Sequence, residues 1–132
     1  MSDSRASDTK LAGIECITPI LRVGDLRRSI RYYVDVLGFT ADWGDAEGSE
    51  MASVSRDGHS IMLSEGDQGQ PGTWVWIGVD DVELLFDAYR HRGAEVRHAP
   101  RNYPWAYEMQ IEDPDGHVLR IGSEPRTDRP FG

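Results

Sequence analysis

The feature that most constrains this chain is an order of elements that occurs twice. The strand-like "CITPILRV", Cys16 to Val23, leads through an acidic cap at Asp25 into "LRRSIRYYVDVLG". There Leu26, Ile30, Tyr33 and Leu37 recur at helical spacing, and Gly38 supplies the stop. Pro19 has no N–H to give a ladder, which places it at a strand start or a sheet edge. "TADWGD" and "MASVS" suggest a further hairpin, and "EMASVSRDGHSIMLSE" reads as two strands joined at Asp57-Gly58, a dipeptide that tolerates positive φ. After the turn-rich linker "EGDQGQPG" the order returns. A strand at Trp74 to Val79 is followed by a cap at Asp80 or Asp81 and a helix burying Val82, Leu85, Phe86 and Tyr89 before Gly93. Three short strands follow, centred on "AEVRH", "YEMQIE" and "HVLRIG", the last two joined by "DPDG". A unit met twice in one order predicts an internal βαβββ duplication in an α+β fold.

With 132 residues, the chain has room for one ordinary domain. Residues 13–125 are expected to form it, as modules of about 13–66 and 72–125, between small, polar tails at 1–12 and 126–132. The net charge of −9 repels phosphate backbones and anionic membranes, so nucleic acid and membrane partners are not expected. Cys16 is the sole cysteine, and the first ten residues lack the apolar run of a signal peptide. Both point to a reducing, cytoplasmic setting.

Two of the four tryptophans stand in one strand, "TWVWIGV". By alternation Trp74 and Trp76 share a face, which is either core or the wall of a pocket for something flat. Met62 and Met109 read as strand-interior fillers. His59, His98 and His117 show no HxH or HxxxH spacing that would preorganise two metal ligands, and read as surface or hydrogen-bonded histidines.

"VGDLRRSIRYYVDVLGF" opening the first unit and "EDPDGHVLRIG" closing the second resemble the vicinal-oxygen-chelate superfamily of glyoxalases, extradiol dioxygenases and bleomycin resistance proteins. The resemblance spans about Ile14 to Glu124 and implies cupped mixed sheets. In metal-dependent members a divalent ion sits in the cup. The ligand positions carried over fall on Thr18, Trp74 and Arg120, whose hydroxyl, indole and guanidinium make no ordinary ligand set, so a metal-free protein is expected.

"TPILRVGDLRRSIRYYVDVLGF", "TWVWIGV" and "YPWAYEMQIEDPDGHVLRIG" are most similar to the bleomycin resistance proteins. That likeness implies a homodimer without catalytic residues, which sequesters an aromatic, cationic ligand such as a glycopeptide antibiotic. It assigns Trp74 and Trp105 to stacking, Asp42 and Trp43 to an acidic and aromatic lip, and Ser64 to a polar contact. Trp76 is assigned to core or interface packing. Two residues depart from the pattern: Ala106 stands where those proteins carry Gly, and Arg120 puts a cation in the cavity that would oppose a cationic drug and favour an anionic or carbonyl-bearing one. The alternatives are a superfamily enzyme with an unusual or absent metal site, using Glu108 or a histidine as base, and a small-metabolite sensor or carrier.

Overall fold

The computed structural model describes residues 11–132, so positions 1–10 of the expected N-terminal tail lie outside the described residues. The first module runs β1 (Ile20–Arg22), α1 (Leu26–Arg31), β2 (Thr40–Trp43), β3 (Met51–Arg56) and β4 (His59–Ser64). The second runs β5 (Trp74–Gly78), α2 (Val82–His91), β6 (Glu95–Asn102), β7 (Tyr107–Glu112) and β8 (Val118–Ser123). Each module folds into its own four-stranded mixed sheet, ordered β1-β4-β3-β2 and β5-β8-β7-β6, with the first strand parallel to the last. The βαβββ duplication is therefore present in three dimensions.

Local chemistry sets the boundaries. Asp25 accepts from Arg28 N at 3.1 Å and Asp81 from Leu84 N at 3.1 Å, so each helix begins at its predicted aspartate. At the β3–β4 turn Asp57 and Gly58 both have positive φ, 52° and 82°, the geometry that matches the twist of paired strands. Two expectations are corrected. The first strand covers only Ile20–Arg22, because Pro19 can accept from Met62 N but donate nothing, and Ile17 before it is exposed. The first helix does not run evenly to Gly38. It widens into a π turn over Tyr32–Val36, where Leu37 N reaches Tyr32 O at 3.1 Å.

The C-terminal stretch, expected to be a free tail, is bound along its length. Asn102 Nδ2 donates to Arg126 O and Arg129 O, and Gly132 N donates to Asn102 O. Arg126 and Arg129 also pair with Glu83 and lie over the Tyr107 ring. Arginines spaced three apart around "TDRPFG" have partners on α2 and β7 that lie far away in sequence, which hides the anchorage from local reading.

One core spans both modules, with Leu21, Leu63, Tyr33 and Leu37 from the first and Met109, Ile111, Leu119 and Ile121 from the second. The junction is polar and centred on the "DPDG" turn. Asp113 Oδ2 accepts from Tyr33 Oη at 2.9 Å, while Oδ1 accepts from His117 N and Asp115 N, each at 2.9 Å. Asp115 accepts from Gly24 N at 2.7 Å and Ser29 Oγ at 2.8 Å. His117 is fully buried. Its Nδ1 accepts from Thr73 N at 2.9 Å and its Nε2 donates to Arg22 O at 2.6 Å, which fixes the neutral Nε2–H tautomer. Burial pushes the Asp113 carboxyl above its ordinary value, against the pull of these donors.

His117→Ala should lower the unfolding free energy by about 1–3 kcal/mol, because it removes a buried side chain and frees two part-buried backbone groups, Thr73 N and Arg22 O. His59→Ala, at an exposed hairpin, should change it by less than about 0.5 kcal/mol. Urea denaturation of the two variants checks this, and equal midpoints would show the clamp to be dispensable.

Candidate functional site

Each sheet turns one face to the core and leaves the other open. On the second sheet the open face is set by register: Trp74 pairs with Val118, Trp76 with Arg120 and Gly78 with Gly122, while Arg120 faces Gln110 and Gly122 faces Glu108. Trp74 and Trp76 are 54% and 50% exposed, and Trp105 on the loop before β7 is 61% exposed. Trp76, expected as core or interface packing, is thus outside the core. Its place on an edge strand, with Val75 and Ile77 turned inward, puts its indole on the open side.

Glu108 organises this face. Its side chain is almost wholly covered, and Arg120 binds it through Nε at 3.1 Å and Nη2 at 3.0 Å. Trp105 Nε1 donates to the same carboxylate at 2.8 Å. Arg120 in turn lies 5.4 Å from the Trp76 ring centroid, and Tyr103 stacks on Trp105 at 4.7 Å with planes 7° apart. Arg97 repeats the pattern over Trp74 at 5.6 Å, held by Gln110 at 3.1 Å and Glu112 at 3.0 Å. Gly122 is what lets the layer lie flat. A Cβ there would come within 2.7 Å of Trp76 and 2.9 Å of Glu108.

The structure brings Trp105 and Arg120 together, with Trp76 rather than Trp74 as their nearest linked indole. Trp74 belongs to the same face through Arg97. Asp42, Trp43 and Ser64 lie on the first sheet, with no hydrogen bond or ion pair to that cluster among the described residues. Asp42 accepts from Ser53 Oγ at 2.9 Å and Ser55 Oγ at 2.7 Å, Trp43 sits half exposed beside a bulge in β2, and Ser64 is buried and accepts from Gly66 N. Sequence reasoning missed Arg97 and Gly122. A signal for both existed in the alternation of "EVRH" and "VLRIG", which aims Arg97 and Gly122 at the side of the tryptophans. A cleft of about 1220 Å³ lies between the modules along β5, lined by Phe39, Ile61, Val75, Trp76, Ile77 and Leu85, with Thr18 also in its wall.

These donors do not suit a metal ion. Thr18 bears only a hydroxyl near Cys16, Trp74 has no available lone pair, and the Arg120 guanidinium occupies the carboxylate beside it. Among the described residues no three His, Cys, Asp or Glu side chains converge.

Fold and site together define a paired βαβββ protein with an open aromatic and guanidinium face. The sequence model of the Glyoxalase/Bleomycin resistance protein/Dioxygenase superfamily matches residues 13–121, and the chain belongs to that superfamily. A lactoylglutathione lyase of Haemophilus influenzae is 27% identical over 134 residues, covering 90% of this chain and 99% of its own. An antibiotic-binding protein from Streptomyces sp. CB03234 superposes with a TM-score of 0.76 at 22% identity, covering 89% of this chain and 100% of that one. A bleomycin-binding protein from Streptomyces verticillus, solved with copper(II)-bleomycin, does so at 0.71 and 21% identity, covering 88% and 100%.

Burial raises the Glu108 carboxyl, but the bonds from Arg120 and Trp105 outweigh it and hold the group below its ordinary value of 4.5. A carboxyl depressed in the folded state stabilises above its unfolded value and loses that contribution as pH falls through the folded one. Glu108→Gln should therefore cost about 1–3 kcal/mol at neutral pH, and the gap to the parent should close as pH drops below 4.5. Denaturation midpoints across that range test it; a gap that stays constant with pH would show that the charge is not the source.

Proposed function

We propose that this chain is a small-molecule-binding protein of the bleomycin-resistance type, which sequesters a planar aromatic ligand on its open sheet face without transforming it. The observation that carries the reading is the set of half-exposed indoles, Trp74, Trp76 and Trp105, on and beside one sheet face of a chain whose core is complete without them. Large flat side chains left in water at one place lose area that burial would favour, and a stacked ring recovers it at little conformational cost. The rigid support from Glu108, Gly122 and Tyr103 holds two of them in place before a ligand arrives. The bleomycin- and antibiotic-binding neighbours support the same reading at the level of the scaffold.

The protein is proposed to act in the cytoplasm as a homodimer, with Asp42, Trp43 and Ser64 of the first sheet as the opposite wall of the site. The cleft between the modules, part of its wall apolar, and the unpaired edge of β5 support association with a second copy. No described helix is long and apolar enough to cross a membrane. A second reading, a lyase, is favoured by the Haemophilus relative, which aligns over almost its whole length. The donor chemistry at Thr18, Trp74 and Arg120 opposes it.

Trp74→Ala and Trp105→Ala should each weaken binding of a planar aromatic ligand such as 2-naphthoate by about 1–3 kcal/mol. Each should cost less stability than the about 3–5 kcal/mol of a core tryptophan. Calorimetric titration with parallel urea melts decides, and a Trp105→Ala variant that unfolds readily while its residual folded protein binds normally would reassign that residue to packing. Chelator treatment should leave folding and affinity unchanged, and lactoylglutathione lyase assays with added Zn²⁺, Ni²⁺ or Co²⁺ should show no turnover; metal-dependent turnover would establish the enzyme instead. Equilibrium sedimentation should return twice the chain mass.

A further inference from the structure

We infer that the ligand of the second sheet's open face carries an anionic group on its planar ring, a carboxylate, phenolate or sulfonate, received by Arg101 and Arg120 at the end of the sheet nearest Trp105. This rests on the reading of that face as a stacking site and adds the charge of what it stacks.

The cation–π attraction of the face is already used. Each indole of β5 has a guanidinium of this same chain within 5.6 Å of its ring centroid, Arg97 on Trp74 and Arg120 on Trp76. A cationic ligand would meet like charge beside both rings, whereas an anionic one would meet opposite charge. The carboxylates that might draw a cation are occupied too. Both oxygens of Glu108 accept from Arg120, and Oε1 also accepts from Trp105. Glu112 accepts from Arg97 at the other end of the strand.

The unfilled capacity is that of donors. Arg120 spends Nε and Nη2 on Glu108, and its Nη1 makes no hydrogen bond among the described residues. Arg101 stands directly opposite Glu108 in the β6–β7 register, so both side chains belong to one face. Arg101 is exposed, and it makes no hydrogen bond or ion pair among the described residues, because the carboxylate across from it is already taken. Two guanidiniums with spare N–H groups, flanking a saturated carboxylate beside two indoles, form a fork for an oxyanion attached to a flat ring. In a chain of net charge −9 this local arrangement also sets the approach, since acidic surface elsewhere turns an anion away and leaves this end as the place it is drawn to.

The test titrates three probes that share one ring, 2-naphthoate, 2-naphthylmethanol and 2-naphthylmethylammonium, into the intact protein by calorimetry. Naphthoate should bind about tenfold tighter than the alcohol, and the ammonium weakest, with the naphthoate advantage shrinking as salt is added. Arg101→Gln, at an exposed residue with no hydrogen bond or ion pair among the described residues, should reduce the advantage severalfold while leaving the alcohol's affinity unchanged; Arg120→Gln should also reduce the advantage, but with a fall in the alcohol's affinity and in stability, because it removes the support of Trp76 and Glu108. The inference is overturned if the ammonium binds as tightly as naphthoate, or if Arg101→Gln leaves the ratio of the two unchanged. Should none of the three probes bind, the stacking reading of the face fails and the charge preference with it, whereas alcohol binding without discrimination leaves the first intact and removes only the second.

Discussion

Everything else in this structure hangs on the buried carboxylate of Asp113. A charged group taken out of water is costly unless donors replace the lost hydration, and Asp113 finds them on both modules: the Tyr33 hydroxyl from the first, the backbone of His117 and Asp115 from the second. Those bonds hold the turn in the shape that points Asp115 at the start of α1 and the His117 ring between Arg22 and Thr73. The hairpin so fixed connects β7 and β8, the strands bearing Glu108, Arg120 and Gly122. The clamp that unites the modules and the layer that forms the candidate site are therefore two ends of the same pair of strands.

At the far end of β7 the logic is repeated with side-chain donors in place of backbone ones. Glu108 is buried and would be costly alone, yet the arginine and indole that satisfy it are themselves surface groups held rigid by the contact. The result is a sheet face whose aromatic and cationic side chains have few alternative positions. The first sheet offers a different surface, with serines bonded to Asp42 in place of arginines on tryptophans. Two modules built in one order thus carry unlike chemistry.

How much of this was legible in the sequence depends on the range of the interaction. Asp25, Asp81 and Asp57-Gly58 act within three or four residues and announced their caps and hairpin directly. "DPDG" announced a turn, but not that its aspartates serve Tyr33, Gly24 and Ser29, which are 80 to 91 residues away. The π turn was invisible because its apolar spacing still fits a helix. For the site, alternation placed Trp74 and Trp76 on one face, while the side that face turned to, and the Arg120–Glu108 pair that fixes its charge, required the register of β7 against β8. The anchoring of residues 126–132 required the partner Asn102, which nothing local singles out.

The linker between the modules also has a consequence of its own. At Gly69, with φ of 80°, the backbone lies so close to β1 that a Cβ would come within 2.6 Å of Ile20 O and 2.9 Å of Arg22 N. A segment resting there denies that strand's outer rim to any incoming chain, which is a common protection against open-ended fibre growth. The corresponding rim of the second sheet, β5, has the ladder partner β8 on one side and no strand on the other. Of these two equivalent rims, the linker covers one and leaves the other open to an incoming strand.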